Sequence, residues 1–173
     1  MTRSVDPNVV LTGFMGSGKT TVGRLIADDL GRTFVDTDDV IEQRHGPIDA
    51  IFAERGEDAF RSIEQAVAAQ VARGRRQVIA TGGRMLLDAA NADALAATGR
   101  VFCLAADADE IIRRLRADVD GPVRPLLAGD DPAAAVDRLL NERAASYGQF
   151  EQVHTAGRSP QDIAADIIER LRA

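Results

Sequence analysis

Gly13-Phe14-Met15-Gly16-Ser17-Gly18-Lys19-Thr20 spells the pattern G-x-x-x-x-G-K-[ST], and its flanks decide what the pattern means. Before it runs Val9-Val10-Leu11-Thr12, apolar and β-branched, as a short strand should be. After it runs Thr21-Val22-Gly23-Arg24-Leu25-Ile26-Ala27, with Val22, Leu25 and Ile26 on one helical face. Strand, glycine loop and helix in that order turn a spelling match into a phosphate grip. The glycines let backbone N–H groups of the loop point inward at a phosphate chain, and the helix N-terminus adds partial positive charge. Lys19 is placed to reach the β- and γ-phosphates, and the Thr20 hydroxyl to ligate Mg²⁺. The alternative is a glycine turn that binds nothing.

Working outward, helical and strand patterns alternate. Strands are expected at 8–13, 33–36, 77–81, 100–105 and, more weakly, 152–155. Helices are expected at 19–31, 38–45, 48–55, 57–73, 88–98, 109–115, 132–146 and 160–171. Gly56 separates the third and fourth of these. The strands are apolar on both faces, which predicts an α/β fold. It should be a three-layer α/β/α P-loop fold with a five-stranded parallel sheet. No linker or repeat splits the pattern, so a single domain over 1–173 is expected. Residues 116–131 are charged and carry Gly121, Pro122, Pro125 and Gly129, which reads as a mobile lid.

Bulk properties narrow the function. The 173 residues are 45% hydrophobic and 28% charged, as in a soluble globular chain. No apolar run approaches a membrane span, and Met1 to Pro7 lacks a signal-peptide core, so a cytoplasmic protein without membrane partners is expected. The net charge of −6 argues against a nucleic-acid partner. Lys19 is the one lysine among 21 basic residues. The single cysteine, Cys103, lies in an apolar strand and reads as buried packing, and His45 and His154 are too isolated to ligate a metal.

In parallel sheets, ligands bind beyond the carboxyl ends of the strands. Three such ends carry chemistry: the P-loop, Asp36-Thr37-Asp38, and Gly82-Gly83. Of the paired carboxylates, one can hold Mg²⁺ through water and the other can orient an acceptor hydroxyl. Asp38 or Asp39 could instead be a helix N-cap. Arg61 follows Phe60 and has Glu57 and Glu64 within helical reach. It is either a guanidinium held ready for a substrate carboxylate or an ordinary surface ion pair. Arg124, in the lid, can meet a γ-phosphate, and Arg116 can stack or pair with a nucleotide, or both can be solvated charges. Arg143, four residues before Tyr147, is either functional or a helix surface charge.

Taken together, the chain resembles the shikimate kinases over nearly its whole length. Gly13 to Thr20 resembles their P-loop, Asp36-Thr37-Asp38 their D-T-D motif, and Gly56 to Glu64 their G-E-x-x-F-R-x-x-E segment. Arg124-Pro125-Leu126-Leu127 resembles their lid motif, and Arg143 through Tyr147 their R-x-x-x-Y element. The resemblance implies ATP-dependent phosphorylation of the shikimate 3-hydroxyl by a monomer. Gly16, Ser17, Gly18, Lys19, Thr20 and Thr21 would hold the phosphates, with Thr20 and Asp36 on Mg²⁺. Arg116, Arg158 and Pro160 would lie near adenine, and Arg124 would come from the lid. Asp38, Arg61, Gly82, Gly83 and Arg143 would bind shikimate from helices within about 38–74, the strand-three turn and the R-x-x-x-Y helix. Lys19, Asp38 and Arg124 would be the catalytic set. Family members usually carry a third glycine after strand three, where this chain has Arg84, whose side chain must point away or intrude. Other outcomes are a same-fold kinase with another acceptor, such as gluconate or a nucleoside monophosphate, or a nucleotide-binding module without catalysis.

Overall fold

The computed structural model describes residues 6–118 and 129–173. Arg124 and most of the expected lid lie outside the described residues, as do residues 1–5.

Strands β1 (Asn8–Thr12), β2 (Thr33–Asp36), β3 (Gln77–Ala80), β4 (Gly99–Ala105) and β5 (Glu151–His154) form one sheet in the order β2-β3-β1-β4-β5. Every pairing is parallel. The helices are α1 (Lys19–Leu30), α2 (Thr37–His45), α3 (Ile48–Val71), α4 (Ala89–Ala96), α5 (Ala108–Ala117), α6 (Pro132–Gly148) and α7 (Pro160–Arg172). A short 3₁₀ turn, Met85–Leu87, follows β3.

The period of two along β1 builds two cores. Val9 and Leu11 pack with Val22, Ile26, Ile163 and Ile167 of α1 and α7. Val10 faces the other way, into Ile41, Ile63, Val67 and Leu95 of α2, α3 and α4. β4 divides in the same manner: Phe102 and Leu104 join the first core and Val101 the second. Fully burying each such aliphatic side chain is worth about 1.5–3 kcal/mol in transfer free energy, so helices on both faces are what a two-sided apolar sheet requires. A third cluster joins Phe14 of the P-loop and Cys103 to α5 and α6 through Ile111, Leu115, Val136 and Tyr147.

The expected elements are present with small shifts at their ends. Residues 48–71 form one helical element, broken where Gly56 leaves helical geometry (φ 79°, ψ 174°). The N-cap of α2 is neither Asp38 nor Asp39. Asp36 caps it by accepting from the Asp38 N–H at 3.0 Å, because its extended backbone sits one step before the first helical turn. Cys103 is buried, and His45 and His154 are exposed. Among the described residues, no helix is long and apolar enough to cross a membrane.

Candidate active site

The P-loop leaves β1, the middle strand, and turns at Gly13 (φ 136°). A Cβ there would stand 2.5 Å from the Leu104 carbonyl oxygen, so only glycine fits the turn. The loop ends at Gly18, which gives α1 no side-chain cap, and no acidic residue occupies the first turn of α1. In contrast, Asp36, Asp88, Asp107, Asp131 and Ser159 each cap a helix with a side-chain oxygen. The first N–H groups of α1 are thus left for an anion, and the helix dipole favours one there. Ser17 Oγ is buried in the loop without a hydrogen-bond partner. An uncapped helix start, a buried orphan hydroxyl and a lysine fit a phosphate chain. Lys19 Nζ donates to the carbonyls of Gly13 at 2.8 Å and Phe14 at 2.9 Å, which holds the ammonium over its own loop.

Thr20 Oγ1 donates to Asp36 Oδ2 at 2.9 Å, which joins the start of α1 to the end of β2. These are hard oxygen donors. Mg²⁺ characteristically takes one or two protein carboxylates and completes its shell with phosphates and water. Among the described residues there is no cluster of three or more His, Cys, Asp or Glu suited to an all-protein metal cage. The donor set therefore fits Mg²⁺ carried in with a nucleotide.

Asp38 lies two residues further on, in the first turn of α2. Burial pushes its carboxyl up to about 6, the Asp36 carboxylate adds to the rise, Lys19 opposes it, and Glu64 and Glu42 add to it again. Its neighbour across the site is the diglycine turn after β3. A Cβ on Gly82 would stand 2.7 Å from Asp38 Oδ1, so glycine is what lets backbone and carboxylate approach. The turn is held on both sides. Gly82 N–H donates to the buried Thr37 Oγ1 at 2.9 Å, and Tyr147 Oη donates to the Gly83 carbonyl at 2.7 Å. Burial raises the pKa of the Tyr147 phenol. A cleft of about 310 Å³ joins Lys19, Thr20, Asp36 and Asp38 to Gly83.

Arg61 is anchored by three residues. Its Nη1 donates to Glu64, its Nη2 and Nε donate to Glu57 Oε1 at 3.1 and 3.3 Å, and its guanidinium lies 5.1 Å from the Phe60 ring. Glu64 is 3% exposed, and burial raises its carboxyl while Arg61 opposes the rise. The ion pair is thus built into the site rather than scattered on a surface. Arg143 lies 5.0 Å from the Phe14 ring of the P-loop, on the same helix as Tyr147. Arg84 reaches Glu57, donating to Oε1 at 3.1 Å. Its backbone (φ −114°, ψ −4°) is open to any residue, so the site accepts an arginine there without strain.

A second cleft, about 410 Å³, runs from Gly16, Ser17, Gly18 and Thr21 to Arg158 and Pro160. Arg116 is exposed at the end of α5 and does not line it; Arg113 and Arg114 do. The sequence analysis passed over Arg114. Its Nη1 donates to the Ser17 carbonyl at 3.1 Å and Thr155 Oγ1 at 3.0 Å, and its Nη2 to the Thr155 carbonyl at 2.9 Å. It ties the P-loop to the end of β5. In the sequence it shows only as an i, i+4 partner of Glu110, the reading of a surface pair.

Comparison with known proteins gives a consistent result. The family model described as shikimate kinase matches residues 15–172. A shikimate kinase of Symbiobacterium thermophilum is 46% identical over 168 residues, which cover 95% of this chain and 96% of that protein. A solved shikimate kinase from Acinetobacter baumannii, in complex with shikimate, superposes with a TM-score of 0.86 at 34% identity, covering 96% of this chain and 93% of that one. A gluconokinase from Sinorhizobium meliloti shares the fold at 18% identity with a TM-score of 0.65, covering 98% of this chain and 94% of that one.

Proposed function

The chain belongs to the shikimate kinase family, and we propose that its site moves the γ-phosphoryl group of ATP to the 3-hydroxyl of shikimate. The enzyme is an ATP-dependent small-molecule kinase. One observation carries the assignment of the acceptor: Asp38, a diglycine turn and a carboxylate-anchored arginine meet beside an uncapped P-loop helix. A nucleotide module without an acceptor has no use for that second cluster.

The P-loop amides and Lys19 bind the triphosphate, with Gly16, Ser17, Gly18 and Thr21 along its path. Arg158 and Pro160 border the space for the base. Thr20 and Asp36 would hold Mg²⁺, which supplies charge neutralisation on the phosphate oxygens. Arg61 and Arg143 hold the acceptor carboxylate, and the Gly82-Gly83 backbone lies along its ring. Asp38 accepts the proton of the attacking hydroxyl. That oxygen then forms the new bond to the γ-phosphorus as the bond to the β–γ bridging oxygen breaks, and ADP leaves. Arg124, outside the described residues, is assigned to the charge that shifts onto the leaving group.

The proposal extends to organisation. The described strands form one sheet, which supports one kinase domain; the proposal takes that domain as a monomer in the cytoplasm, where ATP is the donor. A panel of acceptors with ADP release as the readout tests the assignment. Turnover with shikimate and background rates with gluconate and nucleoside monophosphates are expected. Turnover with gluconate and none with shikimate would overturn it.

A further inference from the structure

Arg84 converges with Arg61 on one atom. Glu57 Oε1 accepts from Arg84 Nη1 at 3.1 Å, from Arg61 Nη2 at 3.1 Å and from Arg61 Nε at 3.3 Å. The remaining Arg61 contact, Nη1, goes to Glu64. Both glutamates and both arginines line one cleft of about 280 Å³ with Asp88 and Asn91.

Nε and Nη2 form a guanidinium edge that takes a carboxylate through two parallel bonds. In this structure Glu57 fills that edge. The two glutamates are unequal: the Glu64 side chain is 3% exposed and fixed, and that of Glu57 is 52% exposed and free to swing. An incoming carboxylate on the same edge has to displace Glu57, and an unpaired Glu57 beside it would repel it. Arg84 gives Glu57 somewhere to go. Its side chain is 51% exposed and approaches Glu57 from the β3 turn rather than from α3.

We propose that Arg84 is a positioning residue for the acceptor: it draws Glu57 off Arg61 and so frees the Nε/Nη2 edge for a substrate carboxylate. The role rests on the proposed activity, because only a carboxylate acceptor needs that edge. It also gives the arginine at the usual third-glycine position a use that leaves the Asp38 cleft open.

The test is steady-state kinetics of wild type, Arg84→Gln, Arg84→Lys, Glu57→Gln and the Arg84→Gln/Glu57→Gln double variant. Exposed ion pairs are modest, so Arg84→Gln should raise the shikimate KM about two- to fivefold. The ATP KM and kcat should stay at wild-type values, and Arg84→Lys should recover most of the loss. In the Glu57→Gln background the Arg84→Gln change should have no effect, because no charge is left to draw away. An unchanged KM in Arg84→Gln would overturn the role. So would an equal rise in both backgrounds, which would mean that Arg84 touches the substrate itself. Wild-type turnover of shikimate with a silent Arg84 sinks this inference alone, whereas no turnover by wild type sinks the activity as well.

Discussion

The two halves of the site hold their cations in different ways. On the donor side, Lys19 donates to two carbonyls of its own loop and acts on the Asp38 carboxylate through its charge. On the acceptor side, Arg61 is parked on two carboxylates. An acceptor carboxylate therefore has to exchange on Arg61 with one that is already there, while a triphosphate meets the uncapped start of α1 directly. The donor half is a local structure, spelled by consecutive residues and waiting with open N–H groups. The acceptor half is a tertiary assembly from α2, α3, α6 and the β3 turn, already neutralised within itself.

The contrast is broken most severely by removing the donor cation. Lys19→Met should lower kcat on the order of 10³-fold, since a charge aimed at the transferring group is lost. Steady-state ADP release checks this, and more than about a tenth of the wild-type rate would contradict the phosphate role. Asp38→Asn should lower kcat by about 10²–10³-fold through loss of the proton acceptor. The same change should raise the Tm of the nucleotide-free protein by a few degrees, because a buried charge among Asp36 and Glu64 is replaced by a neutral amide. Lower activity together with lower stability would mean that Asp38 is structural.

Arg61→Lys acts on the acceptor half only. An ammonium cannot make the bidentate pair, so the shikimate KM should rise about tenfold while the ATP KM holds. Equal shikimate KM in variant and wild type would remove Arg61 from the clamp. The smallest effect is on stability, behind the P-loop. Arg113 and Arg114 hold the Glu110 carboxyl down to about 2 from its ordinary 4.5, with burial opposing them. A carboxyl depressed in the native state contributes stability above its unfolded value, and loses it as pH falls from about 4.5 toward 2. Denaturant melts should therefore show wild type losing stability faster than Glu110→Gln between pH 5 and pH 3. Parallel curves would deny Glu110 that role.

The same contrast explains what the sequence disclosed. The P-loop, the sheet and the break at Gly56 depend on neighbours in the chain, so periodicity and glycine placement showed them. The D-T-D pair is visible as chemistry, but the N-cap of α2 is Asp36 rather than either alternative, Asp38 or Asp39, because a cap depends on backbone angles that spelling does not carry. Arg61 with Glu64 read equally well as a surface pair until packing put Glu64 in the interior. Arg114 looked like a helix ion pair because its other partners, Ser17 and Thr155, are remote in sequence. Arg84 was flagged as a departure from the family pattern, yet its direction toward Glu57 exists only once α3 packs beside the β3 turn.

A crystal structure of the enzyme with ADP and shikimate tests the difference between the halves most directly. The account predicts an unmoved P-loop backbone, the shikimate carboxylate on the Nε/Nη2 edge of Arg61, and Glu57 transferred wholly to Arg84. A shikimate carboxylate bound elsewhere, with Glu57 still on Arg61, would contradict it.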